Sequence, residues 1–402
     1  MTLWSGIEQF LEQRRKQGLQ RRRRIVDSPQ APEMLVDGER LLSFCSNDYL
    51  GLAADSRLAE AATAAIGRYG FGAGASHLVT GHMTPHHQLE QALAEFTGSE
   101  ATLLFSTGYM ANQAVITSLL GRHDLFVEDK LNHASLIDAA RLSGARVQRF
   151  AHGDMVRMRQ LLAADGSNQQ SLDSPGRTSM LATDGVFSMD GDLAQLDQLV
   201  PTCRQAKSWL LVDEAHAFGV IGDGGRGSFE ALGLNARDPG IIRVGTLGKA
   251  FGSFGAFVAG SRELIELLIQ TARTYIYTTA LPPAVAAASL AALVIIRDEP
   301  ERRRHLRERV DQFRQGAESL GLNLMPSTTP IQPILIGDAD NAVSASEQLR
   351  RQGIWVTAIR PPTVPQGTAR LRVTLSAGHS REHVDCLLDA LATLNLPKGN
   401  RP

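Results

Sequence analysis

The chain has little of what would tie it to the outside of a cell. Only three cysteines occur in 402 residues, Cys45, Cys203 and Cys386. They are far apart and odd in number, which argues against a disulfide frame or zinc spacing and for reduced thiols in a cytoplasmic setting. No apolar run reaches the roughly 20 residues of a membrane span. The longest, residues 284–296, is short and Ala-rich and reads as a buried helix. The Arg-rich N-terminus has no apolar h-region, so it is not read as a secretory signal, and Glu8 and Glu12 are out of character for a transit peptide. Charge of one sign is missing too: 41 Lys and Arg face 42 Asp and Glu. The chain as a whole therefore projects no strong field towards nucleic acid or a membrane surface. No internal repeat is evident.

What is present is a soluble composition, 43% hydrophobic and 21% charged, with a length that suggests two or three domains. Residues 3–17 are expected to form an amphipathic helix, with Ile7, Phe10 and Leu11 at helical spacing. The run Arg21-Arg22-Arg23-Arg24 follows. It is either a solvated face or an anion contact at a cleft mouth; with no interleaved aromatics, nucleic acid is a weak reading. A hairpin over residues 34–44 delivers the polar Ser46-Asn47-Asp48-Tyr49. The glycine-rich stretch 70–76 lacks a preceding strand and departs from GxGxxG, so a dinucleotide site is rejected. From Ala101 to Gly260 strands and helices alternate. Strand-like runs at 101–105, 124–127, 146–150, 179–182, 209–212, 241–244 and 256–259 imply an α/β fold, a mainly parallel sheet flanked by helices. The polar residues 164–177 read as a surface loop. After about residue 298 the pattern becomes a smaller α+β unit. The expected division is 1–55 (helix and hairpin packing with the small domain), 56–298 (large domain) and 299–402 (small C-terminal domain).

Two apolar runs end in reactive groups. Trp209-Leu210-Leu211-Val212 leads into Asp213 and His216, and Ile241-Ile242-Arg243-Val244 leads into Gly245-Thr246-Leu247-Gly248-Lys249. Ligands in open α/β sheets collect outside the carboxyl ends of strands. An acid, an imidazole, a hydroxyl and an amine would therefore share one rim. That set suits pyridoxal phosphate (PLP), which needs an amine for a Schiff base and a carboxylate beside the pyridine nitrogen. The plainer alternative is a surface lysine and a helix-capping aspartate. Ser106-Thr107-Gly108-Tyr109 passes from strand to helix, where exposed N–H groups make an anion site. His133 opens another helix and either stacks on a ring or caps that helix. Ser188 does not sit in G-x-S-x-G, so a hydroxyl donor fits better than a hydrolase nucleophile. Arg243 and Ala250 stand where a Walker A loop needs Gly and Ser or Thr. His82, His86 and His87 lack the HExxH pattern, so no metal is expected.

With these residues in hand, TDGVFSMDGD (183–192), VDEAHAFGVIG (212–222) and GTLGKAFG (245–252) resemble the α-oxoamine synthases, PLP enzymes of fold type I. The resemblance runs from FCSNDYLGL (44–52) to the end of the chain. It implies that Lys249 holds PLP as a Schiff base and moves the substrate proton. Asp213 would pair with the ring nitrogen, His216 with the ring hydroxyl, and His133 would stack. Gly108, Tyr109, Ser188 and Thr246 would fix the phosphate or ring edge. Arg360 would grip the amino-acid carboxylate, while Arg21, Asn47 and Thr363 would place the acyl donor. The segment AIRPPTVPQGTARLR (358–372) resembles the branch that joins L-alanine to a pimeloyl thioester, carried by coenzyme A or an acyl-carrier protein. A branch using glycine and acetyl-CoA, or a non-catalytic PLP-fold binding protein, remains the alternative. The family's site lies between the subunits of a homodimer, where Thr278 or Thr279 would reach the neighbour's phosphate. Asp184 stands where the family's usual motif has Glu, one methylene shorter.

Overall fold

A short turn at Asp37-Gly38 folds β1 (Glu33–Val36) antiparallel onto β2 (Glu39–Ser43). This computed structural model describes residues 3–16, 19–21, 23–164 and 177–399. Arg22, and residues 165–176 of the expected surface loop, lie outside the described residues. The expected N-terminal helix forms over Leu3–Lys16, with Trp4, Ile7, Phe10 and Leu11 exposed.

The main sheet has seven strands: β3 (Ala101–Phe105), β4 (Leu125–Asp129), β5 (Arg146–Phe150), β6 (Ser179–Asp184), β7 (Trp209–Asp213), β8 (Ile241–Thr246) and β9 (Ala256–Gly260). Their spatial order is β3-β9-β8-β7-β6-β4-β5. β4, β6 and β9 are buried at every position, because helices cover both faces of the sheet. All pairings from β8 through β5 are parallel; β9 alone runs backwards, antiparallel to both β8 and β3. A parallel pair needs a long crossover, whereas an antiparallel pair can be joined directly. The chain between β8 and β9 is accordingly a tight loop, and it carries Lys249. Gly252 in that loop has φ +62°, and a Cβ there would lie 2.4 Å from the backbone at Leu52 and Ala53. The loop is thus pressed onto the segment that follows the hairpin.

β4 and β6 continue two residues past their apolar runs. Acidic residues end the hydrophobic pattern there, but the ladder persists: Asp184 pairs in register with Asp213. This extra length carries Asp129 and Asp184 to the carboxyl rim. The Ala-rich run at 284–296 forms the helix Pro283–Asp298, whose small side chains pack on the helices Ser56–Tyr69 and Thr84–Thr97. No helix among the described residues is long and apolar enough to cross a membrane.

Beyond the helix Pro300–Ser319 come β10 (Ile331–Gly337), β11 (Ile354–Trp355), β12 (Thr357–Ile359) and β13 (Ala369–Thr374). β13 lies between β10 and β12 in an antiparallel sheet, while β11 adds in parallel to β2. The first and last parts of the chain therefore share a sheet. One apolar cluster joins Phe44, Leu50 and Leu52 to Phe251 and Phe257, and these to Leu371, Val373 and Val384.

Candidate active site

Outside the carboxyl ends of β4, β6, β7 and β8 lies a cavity of about 220 Å³. Its walls are the last residues of strands and the turns that follow them. β7 ends in Asp213, whose Oδ2 accepts from Asn112 Nδ2 at 2.7 Å and whose Oδ1 accepts from the Ala215 N–H at 2.9 Å. Those two donors fix the carboxylate's rotation. The Asn112 amide also reaches Ser135 Oγ at 2.8 Å, and Ser135 Oγ lies 2.8 Å from His133 Nδ1. His133 receives the Ser135 N–H as the cap of the helix Ala134–Ser143 and also lines the cavity. His133 thus caps this helix while its ring lines the cavity, and burial lowers its proton affinity.

On the opposite wall, the Lys249 amine lies 2.9 Å from His216 Nε2, and His216 Nδ1 lies 2.6 Å from the Tyr49 hydroxyl. Burial pushes the Lys249 amine down to about 8 and holds His216 well below the ordinary imidazole range. Burial also raises the Tyr49 phenol to about 12, which keeps it a donor.

At the third wall Thr107 caps the helix Gly108–Leu119, its Oγ1 accepting from Met110 N. A Cβ at Gly108 would meet nothing within 4 Å, so the helix start is open to the cavity. Tyr109 is exposed, and its hydroxyl donates to Asp138. Thr246 Oγ1 donates to the Gly255 carbonyl and accepts from Gly248 N, which sets the bend that presents Lys249.

The structure brings Lys249, Asp213, His216, His133, Gly108, Tyr109, Ser188 and Thr246 to this one cavity. Asn47 sits just behind it, within 3.3 Å of the Tyr49 hydroxyl. Arg21, Arg360 and Thr363 do not line it, and neither do Thr278 and Thr279. Thr279 pairs with Ser76 at an isolated bridge. Arg360 is half-buried just after β12.

An arginine that the motifs did not single out stands closer. Arg372 on β13 is buried and donates from Nε to the Ser188 carbonyl at 2.7 Å, from Nη1 to Thr374 Oγ1 at 2.8 Å and from Nη2 to Asn47 Oδ1 at 3.2 Å. Its charge is near enough to lower both Lys249 and His216. Arg370, two residues earlier on the same face, pairs with Asp190 at 2.5 Å. The available signal was two arginines at strand spacing in a segment otherwise apolar. Asn112, a buried amide in an apolar helix, offered a similar one.

Asp184 Oδ2 accepts from the His133 N–H at 3.1 Å, but its buried Oδ1 has no partner. Burial and the facing Asp213 raise this carboxyl well above the usual range.

A deprotonatable amine, a clamped carboxylate opposite it, and an open helix start with hydroxyls nearby form the donor set that a pyridine aldehyde bearing a phosphate requires. The fit holds for the residues present. Fold and site together define a PLP-dependent transferase of fold type I, and residues 39–391 match the family model "Aminotransferase class I and II". A serine palmitoyltransferase from S. paucimobilis, solved with bound PLP–myriocin, superposes with a TM-score of 0.88 at 28% identity, over 98% of each chain.

Within that fold the chain belongs to the 8-amino-7-oxononanoate synthases. It is 56% identical over 381 residues to the 8-amino-7-oxononanoate synthase of Thioalkalivibrio sulfidiphilus, covering 95% of both chains. The Francisella tularensis 8-amino-7-oxononanoate synthase structure matches at 31% identity and a TM-score of 0.74, over 88% of this chain and 97% of that one.

Proposed function

We propose that this chain condenses L-alanine with a pimeloyl thioester, releasing carbon dioxide and the carrier thiol and giving 8-amino-7-oxononanoate for biotin synthesis. PLP, when bound, supplies an electron sink for the charge left at the amino acid's Cα. The remaining work falls to side chains.

Lys249 Nζ holds the Schiff-base position and then takes and returns the Cα proton. Its lowered proton affinity makes the free amine available near neutral pH. Asp213, clamped by Asn112 and the Ala215 N–H, would set its carboxylate against the ring nitrogen. With PLP bound, the Gly108 and Tyr109 N–H groups would take the phosphate, with the Ser188 and Thr246 hydroxyls beside them. His133 would cover one face of the ring and His216 would address its edge.

For the amino-acid carboxylate the geometry favours Arg372 over the expected Arg360, because its buried charge stands beside Lys249 and Asn47. Arg21, Asn47, Arg360 and Thr363 are then left for the acyl donor. A homodimer would bring Thr278 or Thr279 of one subunit to the other's phosphate. We also place the reaction in the cytoplasm, and divide the chain into a hairpin segment (1–55), a PLP-binding unit (56–298) and a smaller unit (299–402).

The observation that carries this reading is the Lys249 amine, with its proton affinity lowered, sharing one small cavity with Asp213. Single-turnover assays with pimeloyl-CoA, pimeloyl acyl-carrier protein and acetyl-CoA, each with L-alanine, glycine or L-serine, test it. Release of carbon dioxide and formation of the amino ketone with L-alanine is expected. Turnover with glycine and acetyl-CoA instead would overturn the substrate assignment.

A further inference from the structure

Four of the chain's eleven histidines fall within residues 77–87, and none of them lines the cavity described above. Spacing alone argued against a metal there, since HExxH is lacking. The fold supplies what the spacing did not. A π-type turn at His77–Gly81 swings His82 over the helix Thr84–Thr97, on which the exposed His87 and the largely buried Glu90 stand about one turn apart. One ligand atom each from His82, His87 and Glu90 lies within 4.8 Å of the others.

We propose that His82, His87 and Glu90 form a binding site for a divalent transition-metal ion of the zinc type, with water completing the shell. Two imidazoles and a carboxylate are the borderline N/O donors such an ion selects. Tetrahedral bonds of about 2.1 Å separate ligand atoms by about 3.4 Å. Contraction from the observed spacing needs only side-chain rotation; His87 is exposed, and the move would give up its Nε2 contact of 3.0 Å with the exposed Gln91 side-chain amide.

Two further contacts prepare the ligands. Glu90 Oε1 is held by the Leu104 N–H at 3.0 Å, which leaves Oε2 facing His82 Nε2 at 3.9 Å, too far for a hydrogen bond. His82 Nδ1 lies 3.0 Å from His77 Nδ1; donation from His82 to His77 fixes the tautomer in which Nε2 offers its lone pair. His77 in turn stacks on Tyr275, with ring centroids 5.0 Å apart. Burial lowers the proton affinity of His77, His82 and His86, so neutral rings face one another in the cluster.

Ligation would tie the turn to the helix. Through the His86 ring, 2.6 Å from the Leu281 carbonyl, it would also brace the segment in which Thr279 bridges to Ser76.

The test uses chelator-treated holoenzyme titrated with Zn²⁺ by calorimetry and with Co²⁺ by visible absorption. One ion per chain is expected, with ligand-field bands for Co²⁺. Binding should weaken at least about tenfold in His87→Ala and in His82→Ala and be lost in the double variant. His305→Ala, a histidine outside the cluster, should bind as the parent does. His87 is on the surface, so its replacement leaves the fold intact. Failure of the parent to bind Zn²⁺ stoichiometrically, or equal binding by parent and double variant, would overturn the site.

Discussion

The Tyr49 hydroxyl lies 2.6 Å from His216 Nδ1, and the other nitrogen of that ring faces the Lys249 amine at 2.9 Å. Since the phenol is held protonated, it donates to Nδ1, and the neutral ring then carries its proton on Nε2. Lys249 is met by a donor, which favours the unprotonated amine. Tyr49 is thus a positioning residue that acts through His216. Tyr49→Phe should lower kcat about tenfold and shift the pH profile of the cofactor's absorbance. A packing role alone would leave that profile in place.

Lys249 titrates near 8 in the fold, below an ordinary lysine at about 10.4. Only the neutral amine attacks an aldehyde. The rate of PLP capture by apoenzyme should therefore climb from pH 6 to about 8 and then level off; stopped-flow absorbance would follow it. A rate still rising at pH 10 would show that the amine is not desolvated. Lys249→Ala should remain folded by circular dichroism, take no borohydride label and turn over no substrate.

The two facing acids should respond differently to amidation. Asp213→Asn removes the charge against the ring nitrogen and should cut kcat/KM about a thousandfold. Asp184, whose carboxyl is raised by burial and by the facing Asp213, is hard to ionise and has no ring nitrogen to pair with. Asp184→Asn should change kcat/KM by less than about tenfold.

Replacing Arg372 by Lys keeps the charge but loses the planar fork, and KM for L-alanine should rise about tenfold or more. Arg360→Ala should raise KM for the acyl donor and leave that for alanine nearly unchanged. Steady-state kinetics with each substrate varied would separate the two arginines, and the reverse pattern would restore Arg360 to the carboxylate.

His152 sits between Asp129 at 3.1 Å and Asp192 at 2.8 Å, and these bonds raise it to about 10. A folded-state value above the unfolded one means that the fold binds the proton more tightly. The stabilisation is therefore full below about pH 6.5 and disappears as pH climbs through about 10. His152→Gln should lose about 1–2 kcal/mol at pH 6, allowing for partial exposure, and much less at pH 10. Urea unfolding at both pH values measures this.

The sheet and the chemistry at its rim were legible because both are local. An apolar run followed by Asp213, or by Thr246 and Lys249, places a reactive group at a strand end without knowledge of the rest of the chain. Arg372 was not legible in that way. It reaches Ser188 and Asn47 across 184 and 325 residues, and no spacing rule joins such positions. Strand ends were underestimated at Asp129 and Asp184 because charge broke the hydrophobic pattern before the backbone ladder ended. His82 and Glu90 met through a π-type turn, whose irregular geometry leaves no periodic trace.

The arginines of β13 also set an order of events during synthesis. The loop bearing Ser188 is anchored by Arg372, and Asp190 in the same loop by Arg370, so both anchors are made about 180 residues after the loop itself as the chain leaves the ribosome. A nascent chain ending short of them carries the amine without its finished surroundings.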